Sequence, residues 1–449
     1  MLEDYGYALA MVLTLVVGIF IGYPVAFVLG GVGVLFVFVS DLPTVFLGTV
    51  VSRIYGGVIS NWLLVAVPMF VFMGIMLERS GLARNLLMSL QMLMGGMRGG
   101  LAIAVTALGV VLAASTGIIG ASVVTLGILA LPVMLQQGYR TEIATGTIAS
   151  ASTLGILIPP SIMLVLMGDI LRISVGDLFV AALMPGLLLA AIYVIFLVAV
   201  ALLRPDWVPP APLGIRETRL RLLLRILRDL IAPVALIVVV LGSIIAGVAT
   251  PTEAASLGAL GALCLALVSR QLDWAVLTGA VHETGKITAM IMFVVIGATC
   301  FGVVFGRLGG EHMIQDAVGA FDLGAYGTLI LLLGVIFVLG FILEWIEISY
   351  VVLPLFAPIV GMLDFGLGLS QSEIMLWFAV LVAINLQTSF LTPPFGYALF
   401  YLKGVAPEGV TMMNIYRGII PFVLLQLTGL GLVLAFPTIA LWLPRLVFG

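Results

Sequence analysis

Two stretches of this chain read as degenerate copies of one interrupted membrane helix. Residues 150–160, SASTLGILIPP, recur as residues 385–394, NLQTSFLTPP. Each is a run of small and hydroxyl residues that ends in Pro-Pro inside an otherwise apolar segment. Proline has no N–H and clashes with the preceding turn, so a Pro-Pro pair frees backbone carbonyls at membrane depth. Those groups are tolerated only where protein, water or an ion satisfies them. Matching interruptions in two halves of a chain are the sequence mark of a secondary-transport binding site.

The correspondence extends beyond this motif. Pro24 in GYPVAF aligns with Pro251 in VATPTEAA at an offset of 227, Pro160 with Pro394 at 234, and Pro185 with Pro421 at 236. Offsets that drift slowly and never reset indicate a duplicated half with small loop insertions.

Composition excludes a soluble class. The chain is 63% hydrophobic and 9% charged, with mean hydropathy +1.33, against roughly 25% charged residues in soluble domains. A formal charge of −3 gives no reason to expect nucleic acid as a partner; the lipid bilayer is the expected one. Cys264 and Cys300 sit in apolar segments and read as small buried hydrophobes. His282 and His312 lie near span ends, so no histidine cluster is expected to hold a metal. The start, Met1-Leu-Glu-Asp-Tyr, carries acid where a signal peptide carries base, so the first apolar run is expected to be retained.

Apolar runs of about 17–25 residues place ten spans near 7–22, 24–40, 61–78, 140–168, 178–203, 229–249, 252–268, 284–306, 371–402 and 416–442. Two more stretches, 100–136 and 325–362, break at their middles, at STGIIGAS (115–122) and EWIEIS (344–349). Charge decides whether these are paired spans or re-entrant hairpins. Read as hairpins, they put both termini outside, with fourteen of the 18 basic residues inside and four outside, as the positive-inside rule asks. The first hairpin then enters from the cytoplasm and the second from outside, and the two five-span halves are inverted relative to each other. The expected fold is an all-α polytopic membrane protein of two inverted repeats, about ten transmembrane helices plus two re-entrant helical hairpins, working as an elevator.

The linker 204–228 opens with four prolines and continues with Arg216, Arg219, Arg221, Arg225 and Arg228 among leucines. It reads as an amphipathic helix on the cytoplasmic interface. Further interfacial helices are expected over Ser80–Met97 and Gly309–Phe321, as arms bracing the hairpins. Thr250 before Pro251, with Glu253 following, reads as a helix cap.

Broken helices offer N–H groups to an anion, while freed carbonyls and nearby hydroxyls suit sodium. Ser115, Thr116 and Gly117 at the first hairpin tip, with Ser150, Ser152, Thr153 and Gly155 on the first broken span, form one expected Na⁺ cage. Asn385, Thr388, Ser389 and Thr392 form the second. Gly120, Ser122, Pro159 and Pro160, together with Glu344, Glu347, Ser349, Pro393 and Pro394, are the expected substrate-site residues. Intramembrane carboxylates are costly and mark function by default. For Glu344 and Glu347 cation ligation, proton coupling and solvation of the hairpin tip all remain open.

Six segments resemble the large membrane subunit of tripartite ATP-independent periplasmic (TRAP) transporters, the DctM family. They are MLERSGLARNLL, GASVVTLGILALPVM, ASASTLGILIPPSIMLVLMGDI, VATPTEAAS, GFILEWIEISYVVLPLFAPIV and NLQTSFLTPPFGYALFYLKGV. The resemblance covers nearly the whole chain and is weakest over 1–20 and 204–228. It implies Na⁺-coupled uptake of an organic acid, a soluble extracytoplasmic substrate-binding protein, and a small four-helix membrane subunit, here expected as a separate chain. It also implies the inner (cytoplasmic) membrane of a bacterial cell, and no enzymatic activity. The alternative is a stand-alone Na⁺/carboxylate symporter without a binding protein. An ABC permease is disfavoured because TEAASLG lies inside a span, and an intramembrane protease because the histidines are badly placed.

The expected division is 1–99 scaffold with arm, 100–168 transport domain, 169–203 scaffold and 204–228 linker, then 229–324 scaffold with arm, 325–402 transport domain and 403–449 scaffold. The charge count yields a direct test. Leu220→Cys in right-side-out vesicles is expected to resist a membrane-impermeant thiol reagent until the vesicles are opened. Labelling before opening overturns the inverted topology.

Overall fold

A span whose backbone is broken at membrane depth must be wrapped by other helices, and the fold is built around two such spans. The computed structural model describes residues 5–94, 96–116, 119–210 and 219–448, with side chains for all of these except 82–84, 113–116 and 219–230. Every described element is helical. The first broken span runs as Thr141–Thr153, a 3₁₀ turn Leu154–Ile156, then Ile162–Leu171; the second as Gln371–Ser389, then Tyr397–Val405. The first parts of both are buried almost throughout: Ile143 to Thr153, and Ile374 to Ser389. A helix apolar or small on every face belongs in the centre of a bundle.

Each central helix lies between both arms of its own hairpin. In the first half, Gly100–Thr116 and Ile119–Gln136 pack on Thr141–Thr153; in the second, Gly324–Leu339 and Leu353–Gly361 pack on Gln371–Ser389. The arm Ile119–Gln136, with 18 residues, is long and apolar enough to cross a membrane by itself. At 1.5 Å per residue its length is about 27 Å, just short of a hydrocarbon layer of about 30 Å. Its tight return from Gly100–Thr116 and their mutual packing keep it in a hairpin. With the hairpins set aside and each broken span counted once, ten crossing segments remain among the described residues, five in each half. Seven helices have the length and apolarity to cross a membrane; others, such as Gly6–Phe20 and Val25–Val39, are shorter apolar helices.

The halves repeat element by element and embrace reciprocally. Val25–Val39 of the first half packs on Trp274–Arg307 of the second, and Pro251–Val268 of the second packs on Ala66–Arg79 of the first. The long helix Trp274–Arg307 has 34 residues. Its counterpart, 46–79, has the same length but is interrupted. It runs as Phe46–Ile54, a π turn Tyr55–Ile59, a 3₁₀ turn Trp62–Val65 and Ala66–Arg79. Gly57 matches Gly285, Gly74 matches Gly302 and Arg79 matches Arg307, all at an offset of 228. Sequence reading placed a span only over 61–78. It missed Phe46–Ile59 because Arg53 and the Gly56-Gly57 pair dilute the apolar run.

The arms appear as Leu82–Met94 and Gly310–Gly319, close to their expected bounds. Thr250 and Glu253 form a full capping box. The linker departs from expectation. Arg219–Ile245 is one continuous helix, so the basic segment extends the following span as an unbroken rod instead of forming a separate interfacial helix. Before it, Trp207 lies beneath the guanidinium groups of Arg140 and Arg204. There the backbone N–H of Arg140 donates to the Trp207 carbonyl at 2.9 Å and that of Gly99 to the Val208 carbonyl at 3.0 Å.

Glycine permits the closest crossing. A Cβ on Gly146 would strike the Gly418 carbonyl, and one on Gly418 would strike the Glu142 carbonyl, so Thr141–Thr153 and Met412–Ala435 meet backbone to backbone. Gly146→Leu is expected to cost about 1–3 kcal/mol through overpacking, read as a lower melting midpoint in detergent. Gly431→Leu, where a Cβ meets nothing within 4 Å, is the control expected to melt like the parent. Equal midpoints for both variants would show that the crossing is loose.

Candidate functional site

The two broken spans meet at their equivalent residues. Thr153 and Gln387, related by the offset of 234 that links Pro160 to Pro394, face each other, and Gln387 Nε2 donates to Thr153 Oγ1 at 3.4 Å. Two equivalent residues can touch only near the axis relating their halves, so this pair locates the pseudo-two-fold axis. Both are completely buried. Gln426 and Tyr193 are buried too, and the Tyr193 hydroxyl lies against the Gln387 and Gln426 amides.

Hydroxyls around the breaks share one chemical arrangement. Ser150 donates to the Gly146 carbonyl at 2.8 Å, Ser152 to Ile148 at 2.7 Å and Thr153 to Ser150 at 2.9 Å. In the second half Thr388 donates to Ile384 at 2.8 Å, Ser389 to Leu386 at 2.9 Å and Thr392 to Thr388 at 2.8 Å. A hydroxyl whose proton is committed to a carbonyl presents only lone pairs outward, which is what a cation requires. Thr153 also accepts from Gln387, so its oxygen is the most engaged of the set. Asn385 serves the hairpin instead, since its Nδ2 donates to the Leu333 carbonyl at 2.8 Å. Gly155 closes the buried 3₁₀ turn. The side chains of Ser115 and Thr116, and Gly117, lie outside the described residues.

A cleft of about 110 Å³ opens between the hairpins. Ile119 and Gly120 line it from the first hairpin and Glu344, Trp345 and Ile346 from the second; Ile162, Phe390, Tyr397 and Tyr401 come from the broken spans. Ile287, Met290 and Ile291 of Trp274–Arg307 close one wall. Gly120 is needed for the close approach of the Tyr401 ring, whose carbon a Cβ there would meet at 3.2 Å. Ser122, two residues further along the arm, is buried.

Two helix N-termini begin at this cleft, those of Ile162–Leu171 and Tyr397–Val405. Each follows a Pro-Pro pair, Pro159-Pro160 or Pro393-Pro394, both with cis peptide bonds. A helix N-terminus carries unpaired N–H groups and about half a positive charge, so it accepts an anion. No Lys or Arg occurs in 101–139, 141–171 or 308–402. None of the residues lining the cleft is Lys or Arg, although Lys286 adjoins the wall residue Ile287, so the two N-termini are the groups of the lining that favour a negative charge.

Glu344 and Glu347 do not share one helical turn. Glu344 is the extended residue before the helix Trp345–Glu347 and lines the cleft, whereas Glu347 is buried with its Oε2 unpartnered. Ser349 is fully buried and donates to the Trp345 carbonyl at 2.6 Å. Sequence reading overlooked Tyr397 and Tyr401, one helical turn apart immediately after the second Pro-Pro. It also overlooked Trp345, Phe390 and the wall on Trp274–Arg307. The i, i+4 tyrosine pair was the available signal.

Comparison with known proteins agrees with this geometry. The family model for the DctM component of the tripartite ATP-independent periplasmic transporter matches residues 12–439. The C4-dicarboxylate TRAP transporter large permease protein DctM of Vibrio cholerae is 29% identical, over 98% of each chain. The ectoine/5-hydroxyectoine TRAP transporter large permease protein UehC of Ruegeria pomeroyi is 31% identical, over 98% of this chain and 99% of its own. In fold, the chain is similar to the crystal structure of the Alcanivorax borkumensis YdaH transporter, with TM-score 0.61 and 14% identity over 90% of each chain.

The hairpin anchor is open to test. Asn385→Leu removes the side-chain bond to the Leu333 carbonyl at an expected cost of about 1–3 kcal/mol. Faster hydrogen–deuterium exchange over 340–352 than in the parent is the expected readout; unchanged exchange would show that packing alone seats the second hairpin.

Proposed function

The chain belongs to the DctM component family of tripartite ATP-independent periplasmic transporters, and from that premise we propose that it imports an organic acid by Na⁺ symport across a bacterial inner membrane. The solute arrives from a soluble extracytoplasmic binding protein, and a separate small four-helix membrane subunit braces the scaffold. The observation that carries this reading is the cleft where two helix N-termini converge, each preceded by a helix whose terminal hydroxyls donate to its own carbonyls. The N-termini take the carboxylate. Sodium held by hydroxyls at the C-terminal ends of Thr141–Thr153 and Gln371–Ser389 offsets the negative dipole ends there and the carboxylate of Glu344. Substrate alone lacks a full counter-charge and sodium alone leaves the N-termini unfilled, so the two bind together. The organic-acid assignment draws on the anion-accepting ends and on the name of the Vibrio relative; the Ruegeria relative is named for ectoine.

The moving unit is proposed to comprise both hairpins, both broken spans, and also Val175–Leu203 and Met412–Ala435. The division drawn from sequence left these last two in the scaffold. Their packing across the central helices, at Gly146–Gly418 and at Tyr193–Gln387, supports moving them with the hairpins. With basic residues inward, the wall at 287–291 lies in the cytoplasmic half of the span expected over 284–306, which supports an inward position for the unit.

Proteoliposomes holding this chain, its small subunit and the loaded binding protein are expected to concentrate a carboxylate under an inward Na⁺ gradient alone. Collapse of that gradient should stop uptake even with ATP inside. Thr388→Val and Thr153→Val are expected to raise the Na⁺ concentration needed for half-maximal uptake, about three- to tenfold at 0.6–1.4 kcal/mol for a lost ligand. The effect should be larger for Thr388, whose oxygen is free of Gln387. Full-rate uptake without the binding protein would replace this reading with the stand-alone Na⁺/carboxylate symporter. Unchanged sodium affinity in both variants would make the hydroxyls packing groups.

A further inference from the structure

Among the described residues, the cleft has one scaffold wall, formed by Ile287, Met290 and Ile291 at i, i+3, i+4 spacing on Trp274–Arg307. The register between 46–79 and 274–307 is fixed by equal length and by three identities at an offset of 228. Applied to the wall, that offset returns Ile59, Trp62 and Leu63, again apolar, at the interruption between the π turn Tyr55–Ile59 and the 3₁₀ turn Trp62–Val65. A glycine with open space around it precedes each set by two residues, Gly57 in one and Gly285 in the other. Ile59 is 66% exposed and Trp62 61% exposed, so these large side chains have no protein cover in the state described. Trp62 and Leu63 border a separate groove of about 340 Å³ with Ile173 to Asp177 and Ala249, on the face that the charge distribution assigns outside.

The interruption in 46–79 sits at this level. Asn61 caps the 3₁₀ turn by accepting from Leu63 N–H at 3.0 Å, and its Nδ2 donates to Asp169 Oδ2 at 2.8 Å. Asp169 ends Ile162–Leu171, the helix whose other end opens on the cleft. One bond thus ties the outer end of the moving unit to the edge of the uncovered face.

In an inverted repeat, exchanging the conformations of the two halves generates the opposite-facing state. We infer that Ile59, Trp62 and Leu63 are the extracytoplasmic wall of the substrate site, covered by the two hairpin tips when the unit moves outward, after the Asn61–Asp169 bond is released. This rests on the Na⁺-driven two-position cycle proposed above. The wall trades Met290 for Trp62, so the outward site is the more aromatic. The substrate therefore meets Trp62 first, and Trp62 is assigned as a selectivity residue on the loading side.

Paired cysteines in the full complex test the assignment, in a background carrying Cys264→Ala and Cys300→Ala. Met290→Cys with Ile346→Cys should cross-link in the inward state. Trp62→Cys with Ile346→Cys should cross-link only when an outward population exists, and both trapped forms should lose uptake ~tenfold or more, because the conformational cycle is blocked. Reductant should restore it. The proposal is overturned if Ile346→Cys never reaches Trp62→Cys while the cysteine-free parent retains Na⁺-driven uptake. It is equally overturned if Trp62→Cys instead cross-links to the small subunit. Na⁺-independent uptake by the parent would instead strike the functional reading itself. Trp62→Ala, needing no cross-link, should weaken uptake from the loading side at least ~threefold, and Trp62→Phe should restore it; unchanged uptake by Trp62→Ala would also overturn it.

Discussion

Everything in this molecule follows from the requirement that backbone polar groups at membrane depth be satisfied from within. Two Pro-Pro pairs break two spans, and each break exposes carbonyls on one side and N–H groups on the other. The protein answers by surrounding each broken span with its own hairpin, and by bringing the two breaks together about an axis marked by Thr153 and Gln387. In the proposed function, the cost of breaking a helix in hydrocarbon becomes the means of holding an ion and an anion in the same place. Outside the two broken spans Trp274–Arg307 runs uninterrupted for 34 residues, whereas its counterpart 46–79 is interrupted by a π turn and a 3₁₀ turn.

Small residues make that arrangement possible. Gly146 and Gly418 let a broken span touch Met412–Ala435 backbone to backbone, Gly120 admits the Tyr401 ring, and Gly33 and Gly297 let Val25–Val39 lie against Trp274–Arg307. In a membrane there is no hydrophobic force pressing helices together, so close approach and interhelical hydrogen bonds must supply the association. Bonds such as Asn385 to the Leu333 carbonyl and Trp377 Nε1 to the Val433 carbonyl, 2.9 Å, fall where hairpin arm and last span meet the second central helix.

Much of this was legible in the chain because membrane helices declare themselves by length and apolarity. The breaks, both hairpins, the arms and the Thr250–Glu253 cap all followed from local residue chemistry. The helix over Phe46–Ile59 did not, because a π turn with two glycines carries no periodic signature. The basic linker was read as separate from its span because arginines among leucines look the same whether a helix lies on the interface or stands in line with a span. The cleft was half legible. Gly120 and Glu344 sit at the two hairpin breaks visible in the sequence, whereas the aromatic lining and the wall at Ile287, Met290 and Ile291 depend on packing between elements. The meeting of Thr153 with Gln387 was implicit in the offset of 234, yet only a closed bundle shows that the equivalent residues touch.

The two breaks are chemically alike, but their surroundings differ. Pro159 and Pro160 are fully buried, whereas Pro394 and Phe395 are exposed and the Pro394 carbonyl accepts from Tyr416 at 2.9 Å. The two motifs differ in sequence as well as in exposure. A symmetric intermediate would treat both breaks equally and would seat the cleft midway between Ile287–Ile291 and Ile59–Leu63. In the proposed cycle the arrangement seen here, with Ile287, Met290 and Ile291 lining the cleft and Ile59 and Trp62 exposed, stands at one end of that range. In the proposed cycle the driving ion need not push the unit in either direction. It has only to make the loaded unit compatible with both walls, and the near-equal apolar character of the two walls keeps the crossing between them shallow.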